Sequence, residues 1–397
     1  MKRSQILCLN LYHIFIDGLY DSIPILLTFI VFHFGGNEKQ IGFIVSCGSF
    51  VATTCGLCTL FFSQRFDFRR ILGIVAFLYG IGFLLNSFSQ STIYIGIFFA
   101  IAVAGHTVFH NVSFSYITDK TNRKVLGSTL SDFTAYGDIG RIPLTALSGY
   151  VAAVSIGGVA GWRVICFSYG ILVLGIGITL LLYKKQSDDT EHNNSQKSRR
   201  FLPLLASIRE KNIKLVLWGS IINAFSSEQI FIFLPSLLLF KGFDHKILGA
   251  LALGFTVGCF IGKTACGRLL DKFGTRKVFV VSQLILAIIL ILLIISDSLN
   301  TVIFIALLLG IVTKGTIPVI QSMITEPLPS SEYYNDVFTI NGFVRGVVNV
   351  LAPTFFGLIG SNFNLNFTYS IMAISAVFAI VPVVLIKGIP SKNNVEI

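Results

Sequence analysis

The sequence predicts an all-α membrane protein in which twelve transmembrane helices form two six-helix pseudo-repeats. Three observations carry this. Of 397 residues, 54% are apolar and only 12% are charged, and the mean hydropathy is +0.79. A soluble domain holds roughly 25% charged residues, so the chain has about half the charge needed to cover so large a core with water. Apolar stretches long enough to cross a ~30 Å hydrocarbon layer as helices recur twelve times, and a polar segment divides them six and six.

Span 1, near 6–32, follows Met1-Lys2-Arg3 and continues without a small-residue cleavage site. It therefore reads as a spanning helix rather than a signal peptide. Spans 2 to 6 lie near 40–63, 70–88, 92–117, 126–154 and 162–183. The polar segment then holds Ser-Asp-Asp-Thr-Glu-His-Asn-Asn-Ser-Gln-Lys-Ser-Arg-Arg, a solvated composition. Spans 7 to 12 follow near 214–240, 247–269, 278–295, 301–325, 336–360 and 364–386. The expected organisation is an N-terminal bundle over 1–183, a cytoplasmic linker over 184–213 and a C-terminal bundle over 214–397.

Lys and Arg number 30 against 19 Asp and Glu, a formal charge of +11. Such a balance fits nucleic acid, an anionic surface or membrane topology. With both termini placed in the cytoplasm, only Lys39, Arg163, Lys241 and Lys246 fall on the opposite side. Arg141, Lys263, Lys314 and Arg345 fall inside spans, and every other basic residue lies in a cytoplasmic segment. This is the positive-inside bias of a multi-pass inner-membrane protein. The charge is a topology signal and gives no support to nucleic-acid binding. The seven cysteines sit in apolar runs, and Cys55-x-x-Cys58 has neither a second pair nor a nearby His, so they read as packing residues. There is no Walker A loop for direct ATP drive, no HExxH and no paired catalytic carboxylate motif, so neither an enzyme nor a cofactor is expected.

The two halves resemble each other at a constant offset of 207 residues. Gly42 corresponds to Gly249, Arg69-Arg70 to Arg276-Lys277, and Thr118-Asp119 to Thr325-Glu326. Parallel repeats are how many secondary transporters build a site between halves. One segment is more specific. Gly267-Arg268-Leu269-Leu270-Asp271-Lys272-Phe273-Gly274-Thr275-Arg276-Lys277, between spans 8 and 9, resembles the loop signature of the major facilitator superfamily. That resemblance implies the major facilitator fold and alternating access, with Asp271, Arg268 and Arg276 as gating residues. The first-half copy is degenerate, with Leu60, Gln64 and Asp67 at the signature positions. A narrower resemblance joins His13-Ile14-Phe15-Ile16-Asp17 and Val108-Phe109-His110 to fosmidomycin-resistance-type transporters. Those place Pro and Glu after the second His, where this chain has Asn111 and Val112.

Ionisable side chains at bilayer depth cost at least ~2.5–3.5 kcal/mol each and normally face a cavity and a partner. In span 1, Asn10, His13, Asp17 and Asp21 are spaced to share one helix face. That stripe reads either as a proton site, with Asp17 exchanging the proton and His13 tuning it, or as a polar seam satisfied by neighbours. In span 4, His106 and His110 lie one turn apart, with Ser113 on the same side. A zinc pair, a relay and satisfied interhelical histidines all fit, but zinc needs two further ligands, so no metal site is expected.

Asp138 and Arg141 in span 5 are three apart and can pair. Arg345 in span 11 has no acidic neighbour one turn away, so its partner must lie elsewhere; Asn341 and Asn349 share its helix. Lys314 sits about 20 Å into span 10. Arg141, Arg345 and Lys314, with His110 and Asn341, are expected to hold a small anionic substrate through guanidinium's bidentate fit to carboxylate or phosphate. Glu228 in span 7 aligns with Asp17 if a four-residue gap is allowed. It is expected either to carry a proton with Asp17, His13 and Asp138, or to pair a buried cation. The functional expectation is a monomeric, proton-coupled carrier of a small organic anion, exporting a drug or metabolite. Uptake of a polycarboxylate, organophosphate or anionic siderophore is the alternative, and a non-transporting membrane receptor is the rival class.

Overall fold

The computed structural model describes residues 3–62, 68–121, 126–182, 210–327 and 334–386. It is almost wholly helical. The helices are α1 (Arg3–His33), α2 (Glu38–Phe62), α3 (Phe68–Asn86), α4 (Thr92–Lys120), α5 (Leu126–Ala152) and α6 (Gly161–Leu182). After the linker come α7 (Lys211–Ser226), α8 (Ile230–Phe240), α9 (Ile247–Phe273), α10 (Thr275–Ile295) and α11 (Leu299–Thr325). The last are α12 (Tyr334–Asn362), α13 (Leu365–Phe378) and α14 (Ile380–Val384). Spans 7 and 12 each comprise two of these segments, so these helices supply the twelve spans.

Among the described residues, ten of the twelve spans are long and apolar enough to cross a membrane by length and composition. In α3 the apolar stretch is shorter, Arg70–Asn86. The other exception, α5, carries Asp138 and Arg141 among several Ser, Thr and Gly residues. The spans sort their faces by helical period. In α10, Phe279, Leu286, Leu290 and Leu293 are buried, whereas Leu284, Ile288, Ile291 and Ile295 are exposed apolar residues suited to lipid.

The chain divides into two compact units. One comprises Met1–Asn193 with Ile232–Leu253 and Pro353–Ser361, the other Asn194–Phe231 with Gly254–Ala352 and Asn362–Ile397. In the first unit α1 packs along α5, α3 along α6, and α4 against both α2 and α3. Tyr79, Phe83, Phe99, Phe109 and Phe133 fill its interior. In the second, α10 packs against α11 and α13 over a core that includes Val216, Phe279, Ile320, Met323 and Val383.

Two backbone approaches in the first unit echo the repeat. A Cβ on Gly42 would collide with the Pro353 carbonyl and crowd Gly357, and one on Gly149 would strike the backbone of Gly249. Gly42 and Gly249, equivalent in the sequence repeat, thus each lie close to a glycine of another helix, Gly357 and Gly149, and a Cβ on Gly249 would strike the Tyr150 ring.

Two local features depart from the sequence expectation. Span 7 is not one helix: residues 227–229 form a turn between α7 and α8. Ser226, Ser227 and Gln229 bond backward to the carbonyls of Ile222, Asn223 and Ala224, and such side-chain bonds compete with the helical ladder. A two-residue hairpin pairs Ser155 with Ala160 between α5 and α6. Gly157 and Gly158 both take positive φ in its turn, the geometry that suits a tight hairpin.

Candidate functional site

Two polar clusters stand out within the spans, one in each unit, the first largely buried and the second half-buried. The first is built by α1, α4 and α5. The predicted stripe on α1 forms: Asn10, His13 and Asp17 are 4%, 1% and 3% exposed. The Asp17 carboxylate is its centre. Its Oδ2 takes an ion pair from Arg141 at 2.7 Å, and its Oδ1 lies 2.8 Å from His110 Nε2 and 3.4 Å from His106 Nε2. His13 Nε2 stands 3.1 Å from Oδ2. Arg141 also reaches Asp21 at 3.0 Å and bonds Asp138 one turn before it on α5. Guanidinium's several donors suit such a shared role.

Aromatic rings hold the imidazoles in place. His13 stacks on Phe133 at 4.0 Å between centroids, and His106 stacks on Tyr20 at 3.8 Å. The His13 Nδ1 donates to the Phe133 carbonyl at 2.7 Å. Gly137 on α5 is the floor of this arrangement, because a Cβ there would press on Asp17 Oδ2 and His13 Nε2.

The second cluster centres on Glu228, in the turn that interrupts span 7. Arg345 donates to Glu228 Oε1 through Nε at 2.9 Å and also through its NH2 group. Asn349, one turn further along α12, donates to Oε2 at 2.9 Å, and Gln229 donates to Asn349 Oδ1 at 2.9 Å. Lys314 on α11 is close enough to act on Glu228 through its charge. Interrupted helices at such depth are tolerated where the freed backbone and side chains are buried or line a cavity.

The structure therefore brings Asp17, His13, His110, Asp138 and Arg141 together, and likewise Glu228, Arg345 and Lys314. Arg345 finds the partner that its own helix lacks. Asn341 does not join that group; it accepts from Ser220 at 2.7 Å. Of the gating residues, Arg268 is exposed and Arg276 donates to the Val384 carbonyl at 3.1 Å. The side chain of Asp271 lies outside the described residues. Sequence reasoning does not identify Asn349 as a partner of Glu228 or Gln229 as the partner behind it, although Asn349 sits four residues after Arg345, a spacing that places it on the same face.

A repeated helical scaffold with charged clusters inside its spans defines a multi-pass membrane transporter and not an enzyme. The chain belongs to the major facilitator superfamily, whose family model matches residues 9–262 and 216–396. The YaaU protein of Escherichia coli K12, named for metabolite transport, is 30% identical over 134 residues, which is 33% of this chain and 30% of that protein. The match thus spans under a third of that relative's length. Among solved structures, the inward-open xylose transporter XylE of E. coli aligns with TM-score 0.75 at 17% identity, over 98% of this chain and 97% of that one. The nucleoside transporter NupG aligns at 0.76 and 12%, over 96% and 98%. An inward-facing bacterial homologue of the human lysosomal transporter Spinster aligns at 0.75 and 15%, over 96% and 94%. At these identities the structures share the fold.

Proposed function

We propose that this chain is a monomeric, proton-coupled secondary transporter of a small organic anion, working by alternating access across the inner membrane with both termini cytoplasmic. Two six-helix bundles, 1–183 and 214–397, joined by the linker 184–213, would rock about the substrate. The observation that carries the reading is the half-buried Arg345–Glu228 pair. A guanidinium held by a carboxylate is an anion site already occupied by an anion of the protein itself. A proton arriving on Glu228 removes that competitor and frees Arg345 for a substrate carboxylate or phosphate. Loss of the proton restores the pair and expels the ligand. Binding of proton and anion are thereby coupled, with Lys314 supplying further positive charge.

Arg141 offers the first bundle's equivalent, with Asp17, His13 and Asp138 as its protonatable set and His110 facing the same carboxylate. Asn341 would contribute through its amide. Asp271, Arg268 and Arg276 would gate the cytoplasmic side. Two directions of transport remain in play. The His13–Asp17 and His110 stretches resemble fosmidomycin-type exporters and support efflux of an anionic drug or metabolite. Gly137-Asp138-Ile139-Gly140-Arg141-Ile142-Pro143 in span 5 departs from the Gly-Pro pattern expected of antiporters by inserting two charges, which supports uptake of a polycarboxylate, organophosphate or anionic siderophore.

Proteoliposomes loaded with a pH-sensitive dye and screened with anionic compounds in both directions test this. Substrate-driven proton movement supports the proposal. Flux of a neutral sugar or nucleoside with no proton movement, unaffected by Arg345→Ala, would overturn it.

A further inference from the structure

We infer that His106, His110, Asp17 and His13 form a binding site for one divalent first-row transition-metal cation of the zinc, cobalt or nickel class. On sequence alone the His106–His110 pair lacked two further ligands for zinc. The structure supplies both from α1, as a second pair one helical turn apart.

The geometry is that of a ligand set. His106 Nε2 and His110 Nε2 are 3.2 Å apart, and their distances to Asp17 Oδ1 are 3.4 and 2.8 Å. Donors around a tetrahedral zinc at about 2.0–2.1 Å are separated by about 3.3–3.4 Å. These three atoms therefore make one triangular face, two imidazoles and a carboxylate. His13 Nε2 stands beside the other carboxylate oxygen, 3.1 Å from Oδ2, so its ring closes on the metal as the fourth ligand when the cation binds. The ligand atoms of His13, Asp17 and His110 all lie within 4.8 Å of one another.

An independent observation asks for a cation here. The Phe133 carbonyl can only accept, so His13 Nδ1 carries the proton of that 2.7 Å bond. In the neutral ring Nε2 is then a bare lone pair. It is buried, has no hydrogen-bond partner, and lies 3.1 Å from a carboxylate oxygen. A lone pair facing a carboxylate is repulsive unless a cation lies between them; a proton or a metal ion supplies it, and a metal ion is the one that also joins His110 to the same carboxylate. The Nδ1–H···O=C contact is also the outer-partner arrangement that orients metal-binding histidines. The charged and titratable neighbours are Asp21 and Tyr20 on α1, Tyr79 on α3, and Asp138 and Arg141 on α5. Arg141 approaches Asp17 on Oδ2 and leaves Oδ1 to the α4 imidazoles. Three imidazoles and one carboxylate suit zinc, cobalt or nickel, whereas magnesium and calcium prefer all-oxygen sites.

The inference goes beyond anion transport and does not depend on it, because binding is measured with no substrate present. Full-length protein purified through a tag without histidines, stripped of metal and held in nanodiscs, is titrated with Zn2+ and separately with Co2+. The expected result is one Zn2+ per chain and visible d–d absorption from tetrahedral Co2+, neither displaced by excess Mg2+ or Ca2+. His106→Gln and His110→Gln, checked for monodispersity, should each weaken binding by more than the roughly 10–100-fold that losing an outer partner costs. Cys55→Ser with Cys58→Ser should leave it intact. No saturable Zn2+ binding in the wild type, or binding lost with the cysteines and kept by both histidine variants, overturns the site.

Discussion

The Asp17 and Glu228 clusters answer one problem in two ways. Each sets a carboxylate from the first span of its half, buried at Asp17 and half-buried at Glu228, against an arginine from the fifth. Asp17 pairs with Arg141 and Glu228 with Arg345, and the two carboxylates align in the sequence repeat once a four-residue gap is allowed. What surrounds them differs. Three imidazoles converge on Asp17, which also shares its guanidinium with Asp21 and Asp138. Glu228 has the Asn349 amide, with Gln229 behind it, and its guanidinium approaches through two donors. The carboxylate–arginine pair is the element common to both halves, and the second partner is where they specialise. Amides neither bind a proton near neutrality nor favour a transition metal, while imidazoles do both.

The comparison can be broken in order of expected effect. Arg345→Ala leaves the half-buried Glu228 without its counter-ion, at a cost below the ~3–5 kcal/mol of a fully buried pair. Transport should fall about a hundredfold or more, because the two charge-assisted hydrogen bonds of the guanidinium, about 1.5–3 kcal/mol each, are lost. Membrane protein levels should recover in Arg345→Ala with Glu228→Gln while transport does not, and recovery of transport would show that Arg345 holds no substrate. Glu228→Gln alone keeps the Asn349 contact and removes the proton site. Wild-type anion entry should rise as pH falls on the side of entry, because protonation releases Arg345. In the variant that dependence should be flat, and initial rates measured across a pH series check it.

Gly137→Ala should act on the Asp17 cluster alone, pushing a methyl between Asp17 and His13 and weakening Zn2+ binding in nanodiscs. Asn349→Ala removes one charge-assisted hydrogen bond, worth about 1.5–3 kcal/mol. It should therefore lower transport by about ten- to a hundredfold, less than loss of Arg345. The smallest effect is expected of Arg276→Gln, which gives up one exposed bond to the Val384 carbonyl. Because it also removes a charge proposed for the cytoplasmic gate, its transport rate should fall by about two- to fivefold, the ~0.5–1 kcal/mol of an exposed charged contact.

Much of this was legible in the sequence where the signal is local and periodic. The spans follow from runs of apolar residues, and the stripe of Asn10, His13, Asp17 and Asp21 follows from helical spacing. The likeness of Asp17 and Glu228 is visible because a duplicated scaffold repeats its register. Long-range pairing was not legible. Nothing near Arg345 announces a partner 117 residues away, and His106 with His110 looked two ligands short because the other two belong to α1. The break at 227–229 was hidden by hydropathy, since Ser226, Ser227 and Gln229 sit in an otherwise apolar run and act through side-chain bonds that composition does not reveal.

The central claim is that a proton and an anion exchange places at Glu228–Arg345. It is tested most directly by counting protons moved per substrate in proteoliposomes of wild type and Glu228→Gln, with the zero-flux membrane potential as readout. A fixed wild-type stoichiometry that falls by one proton in the variant is the predicted result. An unchanged stoichiometry in a variant that still transports would contradict it.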